Sequence, residues 1–176
     1  MSADGELTAQ IGERLRAELG ARGYDVLHDH GEKAEHVGEI ISWFGQGAEP
    51  TRDTELSQLD IAVIDRESGR TLALIEIEES SDNPKTLLGD VFGTLISEHI
   101  GFKDNRPLNV GSWTTLIVLA KGAHAARSKF MQQRVRAVQP ILPPTITAFG
   151  HLIVESCADE SNLDARLHDL VLEALK

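Results

Sequence analysis

The fold of this chain is decided by Leu59-Asp-Ile-Ala-Val-Ile-Asp65 and Thr71-Leu-Ala-Leu-Ile-Glu-Ile-Glu-Glu79, which flank the short segment Arg66-Glu-Ser-Gly-Arg70. Apolar, β-branched runs around a short segment with glycine near its end are typical of a β-hairpin. The second run is apolar on both faces at its start and acidic only at its end. This pattern is typical of a central strand that emerges at a cleft.

The acidic end of the second strand is the main candidate for a functional site. Side chains alternate across a strand, so Glu76 and Glu78 project from one face about 7 Å apart, while Ile75 and Ile77 point to the other. An aspartate on the first strand, Asp60, joins them if the hairpin register sets it across from Glu76. Like charges placed in this way are destabilising unless a cation compensates them.

The register depends on the turn. A three-residue turn, Glu67-Ser68-Gly69, with Gly69 in the left-handed conformation, pairs Arg66 with Arg70 and sets Asp60 across from Glu76. A two-residue turn, Ser68-Gly69, would instead set Asp60 across from Ile77 and move it to the other face. A further alternative is that the acids simply end an edge strand in solvent.

The remaining elements follow from hydrophobic periodicity and from glycine, proline and capping residues. The segment from Glu32 to Phe44 favours a helix, although Ile40-Ile41-Ser-Trp-Phe44 also suits a strand, and Gln46 to Thr54 is predicted to be a loop. The other predicted elements are helices over Glu6–Arg22, Pro84–Ile100, Ala123–Val138 and Leu163–Leu175, and strands over Tyr24–His28, Thr114–Ala120 and Thr145–Glu155. This order predicts a single α/β domain over residues 1–176, with a central mixed β-sheet flanked by α-helices.

The composition indicates the cellular compartment in which the protein is expected to work. The longest apolar run, Leu116 to Ala120, is far shorter than the roughly 20 residues of a membrane span, and the N-terminal sequence does not resemble a signal peptide. We therefore expect a cytoplasmic protein that does not interact with a membrane. The single cysteine, Cys157, allows no internal disulfide and is expected to be a small buried hydrophobic residue.

The charge is unevenly distributed. The chain carries −11 in total, but Asn105 to Val154 contains no acidic residue and carries +6, so the rest carries −17. Such asymmetry permits a basic surface on an acidic protein, and an ordinary solvated helix explains it equally well. The basic residues that are candidates for nucleic-acid binding are Lys121, Arg127, Lys129, Arg134 and Arg136.

Histidines and neighbouring acids after the first predicted strand, His28, Asp29, His30 and His36, suggest a zinc site by residue type alone. They match no established zinc motif, so we expect them to be polar residues at a strand end. A cluster of Asp60, Glu76 and Glu78 would favour Mg²⁺ or Mn²⁺, which prefer oxygen ligands and are typical of phosphate chemistry.

The segment from Ser57 to Ala120 resembles the PD-(D/E)xK nuclease superfamily, which has the restriction-endonuclease-like fold. The resemblance rests on Asp60-Ile-Ala-Val-Ile64, a short hairpin, Leu74-Ile-Glu-Ile-Glu78, and a following helix and strand. It implies that Asp60, Glu76 and the backbone carbonyl of Ile77 bind the catalytic metal. Glu78 replaces the lysine that is usual in this family, so it would act as a further ligand or a water-orienting base.

The resemblance also suggests two accessory residues. Lys85 lies in the first turn of the predicted helix and would replace the missing lysine, although an exposed helix-start lysine explains it as well. Glu39 is the candidate for the further upstream acid that many members of this family carry. The family further suggests DNA as the partner and, by analogy, a homodimer.

The sequence thus predicts a metal-dependent endonuclease that hydrolyses phosphodiester bonds in DNA. The alternative is a non-catalytic PD-(D/E)xK-like module for nucleic-acid binding or protein assembly, because the lysine is missing and the remaining surface is strongly acidic. A metal-dependent hydrolase of a small phosphorylated substrate is a third interpretation, which the acidic surface would suit.

Overall fold

The computed structural model describes residues 5–32, 34–45, 50–79, 84–103, 106–122, 133, 134, 137 and 149–176. Its helices are α1 (Glu6–Gly20), α2 (Pro84–Leu95) and α3 (Glu160–Ala174). Its strands are β1 (Tyr24–His28), β2 (Ile40–Trp43), β3 (Glu55–Leu59), β4 (Ile61–Asp65), β5 (Thr71–Glu78), β6 (His99–Phe102), β7 (Arg106–Pro107), β8 (Thr115–Lys121) and β9 (His151–Cys157).

The strands form two sheets. The main sheet has the order β1-β4-β5-β8-β9, in which β1, β4 and β5 are antiparallel and β5, β8 and β9 are parallel. The second sheet has the order β3-β2-β6-β7. The α/β class and the mixed central sheet with flanking helices agree with the sequence prediction. The edge-strand interpretation of the acids is wrong for β5 as a whole, because this strand lies between β4 and β8, although beyond Ile75 only β8 continues beside it.

The two faces of the main sheet are covered by different elements. Helices α1 and α3 pack on one face, where Ile11, Leu15 and Leu19 form the buried stripe that their spacing of four predicts. Helix α2 and the second sheet cover the other face. Cys157 is buried at the end of β9, as predicted, and burial raises the pKa of its thiol. No helix in the described ranges is long and apolar enough to cross a lipid bilayer.

The predicted helix from Glu32 to Phe44 is wrong, and the strand alternative is correct: β2 runs from Ile40 to Trp43. All four residues of β2 are buried, because the strand lies between β3 and β6 and is covered on both faces. Its Ser42 shares a short hydrogen bond of 2.6 Å with Ser57 of β3. A strand that is buried on both faces lacks the alternation of apolar and polar residues by which a strand is usually predicted. Its apolar residues therefore fitted the spacing of a helix instead.

The run from Leu59 to Asp65 is not one strand. It breaks at Asp60, with β3 before the break in the second sheet and β4 after it in the main sheet. The sequence pattern also does not predict β6 or β7, and it extends α2 to Ile100, whereas the helix ends at Leu95. After Leu95 the Ser97 hydroxyl donates to the Thr94 carbonyl at 2.8 Å, and the chain then pairs with β2 as β6.

The hairpin of β4 and β5 has the predicted register near its acidic end but a different turn. Ile61 lies across from Ile75, which is the predicted register. The predicted pairing of Arg66 with Arg70 is wrong, because the Asp65 amide donates to the Arg70 carbonyl at 2.9 Å. A bulge at Leu72 of β5 restores the register after the longer turn. Gly69 takes the expected left-handed conformation, with φ of 67°.

The last helix lies close to its predicted position, whereas the strand predicted over Thr145–Glu155 begins later, and residues 145–148 lie outside the described residues. Strand β9 begins at His151, and α3 begins at Glu160 because Asp159 caps it, accepting the Asn162 amide at 2.9 Å. The predicted helix from Ala123 to Val138 lies outside the described residues except for 133, 134 and 137, which are helical.

Two glycines of α2 allow a test of how the helix packs on β3. A Cβ atom at Gly93 would lie 2.8 Å from the carbonyl oxygen of Leu56, whereas one at Gly89 would meet nothing within 4 Å. We expect Gly93→Ala to lower the free energy of unfolding by about 1–3 kcal/mol. Gly89→Ala should raise it by about 0.5–1 kcal/mol, because alanine favours a helix. Urea denaturation of both variants measures this, and equal effects would contradict the close packing.

The ion pair between β9 and α3 predicts a pH-dependent stability. Arg166 donates two hydrogen bonds of 2.8 Å to Glu155 and holds the pKa of that carboxyl below its usual range. A lowered folded-state pKa stabilises the protein above the unfolded-state pKa, and this contribution is lost as the pH falls through the folded-state pKa. Since both side chains are about one-third exposed, Arg166→Gln should cost at most about 1 kcal/mol near neutral pH.

The measurement is urea denaturation of the wild type and Arg166→Gln from about pH 7 to about pH 3. The difference between them should vanish at the acidic end. Arg22→Gln, at an exposed arginine after α1, is the control and should show no such trend. A difference that stays constant across this range would contradict the assignment.

Candidate metal centre

The site is built at the point where the chain crosses from one sheet to the other. Leu59, the last residue of β3, pairs with Ile40 of the second sheet, so it cannot continue the ladder of β4 alongside β5. Two residues beyond Ile75 on β5, the amide of Ile77 instead donates to Oδ2 of Asp60 at 2.6 Å. The Asp60 carboxylate thus accepts the hydrogen bond of a buried backbone amide of β5 at a position where β4 no longer pairs with β5.

Asp60 is also tied to both neighbouring strands through its backbone. Its amide donates to the carbonyl of Ile75 at 2.9 Å, and its carbonyl accepts from the amide of Asp29 at 2.8 Å. His28, the last residue of β1, lies across from Ile61, so Asp29 follows directly beside Asp60. The pairing of three strands therefore brings Asp29 of one strand end and Glu76 of another to the two sides of Asp60.

A cleft of about 290 Å³ lies over this end of the sheet. Its lining residues are Gly5, Thr8, Asp29, His30, Gln58, Asp60, Glu76, Ile77, Glu78 and Glu79. Five of them are carboxylates, and in the described part of the chain no lysine or arginine lines the cleft. The cleft is therefore strongly negative, and His30 is the residue in it that can carry a positive charge.

The closest group of ligand atoms in the cleft comes from Asp29, His30 and Asp60. One ligand atom from each lies within 4.8 Å of the other two. The side chain of Asp29 is 11 % exposed, Asp60 is 8 % exposed, and His30 is open to solvent. Burial raises the pKa of Asp29, and the nearby carboxylate of Glu39 raises it further, while His30 opposes the shift. One buried and one mostly buried carboxylate this close would favour a bound cation.

Gly5 packs against His30. Its φ is 88°, in the left-handed region, and a Cβ atom there would lie 2.5 Å from Cδ2 of His30. Only glycine therefore lets the start of α1 approach the imidazole in this way. Glu79 binds the same turn of α1 by accepting from the amide and hydroxyl of Thr8 at 3.1 Å and 3.0 Å. An acid of the cleft thus has a structural role.

The alternation predicted for β5 is present. Ile75 and Ile77 are buried in the core that α1 and α3 cover, whereas Glu76 and Glu78 are half-buried and line the cleft. Glu76, Ile77 and Glu78 therefore lie in the same cleft as Asp60. The tight group of ligand atoms, however, pairs Asp60 with Asp29 and His30.

The other predicted site residues lie elsewhere. Glu39 forms an ion pair with Lys103 and lines an adjacent cavity that shares Asp29, His30 and Gln58 with the cleft. Lys85 is exposed in the first turn of α2 and is not part of the cleft lining. Lys121 ends β8 and donates to Glu160 at 2.6 Å. Arg134 is helical and exposed, while Arg127, Lys129 and Arg136 lie outside the described residues.

Sequence reasoning missed Asp29 and His30 as members of this site. They were visible as polar residues directly after a strand, but nothing local indicates that β1 lies next to β4. That pairing joins segments about 35 residues apart through backbone hydrogen bonds, which are the same for every sequence. The signal that could have indicated this site is a carboxylate at each of three strand ends, namely Asp29, Asp60 and Glu76.

No protein family, curated protein or solved structure matches this chain. The assignment of the site therefore rests on its own geometry and chemistry.

The hydrogen bond between Asp60 and Ile77 can be separated from the charge of Asp60. Asp60→Ala leaves a buried amide without its acceptor and should lower the free energy of unfolding by about 1–3 kcal/mol. Asp60→Asn keeps an acceptor oxygen and removes the charge beside Asp29, so its stability should stay within about 1 kcal/mol of the wild type. Chemical denaturation without added metal tests this. Equal losses in the two variants would show that the charge, not the hydrogen bond, sets the stability.

Proposed function

We propose that this protein is a divalent-metal-dependent endonuclease that hydrolyses phosphodiester bonds in DNA. The observation that supports it is the convergence of Asp29, His30 and Asp60 within 4.8 Å, in a cleft that Glu76 also lines. The resemblance of Asp60 and Glu76-Ile-Glu78 to the PD-(D/E)xK pattern supports the same chemistry.

The donors in the cleft are mostly carboxylate oxygens, which suit Mg²⁺ or Mn²⁺. Asp60 and Asp29 would hold the ion, with Glu76 and the carbonyl of Ile77 as the further ligands that the resemblance suggests. The ion would polarise the phosphoryl group and lower the pKa of a bound water. The negative cleft would bind a phosphate only with the ion in place.

A proton must still be moved in the absence of the usual lysine. His30 is exposed, lies within 4.0 Å of the Asp29 carboxylate, and is of the residue type that titrates nearest neutral pH. We assign to it the orientation or deprotonation of the attacking water, a role that the sequence pattern gave to Glu78 or Lys85. Glu78 remains as a further ligand in this proposal.

DNA is proposed as the substrate from the charge distribution along the chain. The stretch from Asn105 to Val154 carries +6 and contains the basic residues predicted to contact phosphates. Of these residues, Lys121 and Arg134 lie in the described part of the chain, where Lys121 donates to Glu160 and Arg134 is exposed. A homodimer remains a proposal by analogy with nucleases that cut two strands.

Nicking and linearisation of supercoiled DNA in Mg²⁺ or Mn²⁺ test the proposal. Asp60→Asn and Glu76→Gln should each lower the cleavage rate by roughly a hundredfold or more, equivalent to about 2.7 kcal/mol. Glu67→Gln changes the same charge at an exposed turn and should cleave like the wild type. No cleavage of supercoiled, linear or single-stranded DNA, or equal rates in all variants, would refute it.

A second candidate is a non-catalytic binding or assembly module of the same type. It is favoured by the absence of lysine and arginine from the described lining of the cleft. Calorimetric titration with Mn²⁺ separates the two. Binding that is lost in Asp60→Asn and is accompanied by cleavage supports the enzyme, whereas a folded protein with neither binding nor cleavage supports the module.

A further inference from the structure

A second group of potential metal ligands lies on the other face of the main sheet. It consists of Glu13 on α1, His28 at the end of β1, and His36 in the segment before β2, and one ligand atom from each lies within 4.8 Å of the others. His28 lies across from Ile61, whose side chain is buried in the core under α1 and α3. Its neighbour Asp29 points into the cleft instead, because side chains alternate along a strand.

The distances between the ligand atoms of this group suit a metal ion with tetrahedral coordination. Oε1 of Glu13 lies 3.4 Å from Nε2 of His28 and 3.1 Å from Nε2 of His36. Ligands bound to zinc at about 2.0–2.2 Å in tetrahedral geometry are themselves roughly 3.3–3.6 Å apart. The two imidazole rings are tilted by 59° with centroids 5.3 Å apart, so they do not stack on each other.

His28 carries the observation that points to a ligand. The residue is 0 % exposed, and among the described residues its Nε2 atom has no hydrogen-bond partner. The Glu13 oxygen at 3.4 Å is within ion-pair distance but does not meet the geometry of a hydrogen bond. A buried nitrogen left in this state costs about 1–3 kcal/mol, which a metal–nitrogen bond would offset.

The other nitrogen of the same ring fixes its orientation. Nδ1 of His28 lies 2.6 Å from the carbonyl oxygen of His30, and since a carbonyl only accepts, Nδ1 carries the proton of this bond. In a neutral ring with this proton on Nδ1, Nε2 has the lone pair, and Nε2 lies 3.4 Å from Oε1 of Glu13. A histidine that donates one nitrogen to a backbone carbonyl and presents the other to a metal is the usual arrangement of a ligating histidine.

The backbone around His28 is built to hold this arrangement. A Cβ atom at Gly12 would lie 2.6 Å from Cγ of His28, so α1 approaches the ring only because glycine is there. The amide of His28 donates to the carbonyl of His36 at 3.0 Å, and its carbonyl accepts from Gly38 at 3.0 Å. The three ligands are thus brought together by Gly12 and Glu13 of α1 and by the loop from His36 to Gly38, which is hydrogen-bonded to β1.

We propose that Glu13, His28 and His36 form a zinc site, distinct from the candidate centre at Asp60 and independent of the proposed nuclease activity. Two imidazoles and one carboxylate favour zinc over Mg²⁺ or Ca²⁺, which prefer all-oxygen sites. The side chain of Glu13 is 54 % exposed, so water can reach its carboxylate and would supply the fourth ligand of a bound ion. The ion joins α1 to the segment that carries Asp29 and His30.

The test is titration of the untagged, chelator-treated full chain with Zn²⁺ by calorimetry, with Co²⁺ absorption reporting the coordination. We expect one Zn²⁺ per chain and a rise in the unfolding temperature. Glu13→Gln and His36→Gln should each raise the Kd at least tenfold. Both residues are partly exposed, so these variants should fold, which circular dichroism verifies, and His36→Gln alone decides the outcome if Glu13→Gln unfolds.

Two control variants establish whether Zn²⁺ binds at these three residues. His168→Gln removes a similar exposed pair, in which His168 lies 2.9 Å from Glu18, and it should bind Zn²⁺ like the wild type. Asp60→Asn should also keep full Zn²⁺ binding, although it loses the proposed Mn²⁺ site. No stoichiometric binding by the folded wild type, unchanged binding in both ligand variants, or loss of binding in Asp60→Asn would each overturn the proposal.

Discussion

The hydrogen bond from the Ile77 amide to the Asp60 carboxylate is the constraint on which the arrangement of this protein depends. The chain passes from the second sheet to the main sheet at Asp60, and β5 loses a backbone partner there. A buried amide without an acceptor would cost about 1–3 kcal/mol, so a side chain must supply one. The same contact directs Asp60 toward the end of β5, where the cleft lies.

This contact does not by itself require a charged residue. Asparagine offers an equivalent acceptor oxygen without a second buried negative charge beside Asp29, which is 11 % exposed. For stability alone, a neutral residue would serve better, because burial already raises the pKa of Asp29. Folding stability alone therefore does not explain two adjacent carboxylates in this cleft, and the cation proposed above would compensate their charge.

The sequence predicts the parts of the fold that depend on local pattern. The stripe of α1 and the strand β1 follow from spacing. The predicted register of Ile61 with Ile75 is also correct, but it is reached through a longer turn and a bulge at Leu72 that the sequence pattern does not predict. The second sheet does not follow from local pattern, because β2 is buried on all sides and β7 has only two residues. In the site, the sequence of β5 alone predicts that Glu76 and Glu78 share one face of the strand. The position of Asp29 beside Asp60 depends on the pairing of β1 with β4, which no local pattern specifies.

The end of β1 links the two clusters. His28 and Asp29 are adjacent, so their side chains lie on opposite faces, one under α1 and the other in the cleft. Nδ1 of His28 is bonded to the carbonyl of His30, whose imidazole belongs to the cleft. An ion on Nε2 would hold the His28 ring in place and, through this bond, the backbone of His30. A zinc ion on one face would therefore order the residues that are proposed to hold a second cation on the other.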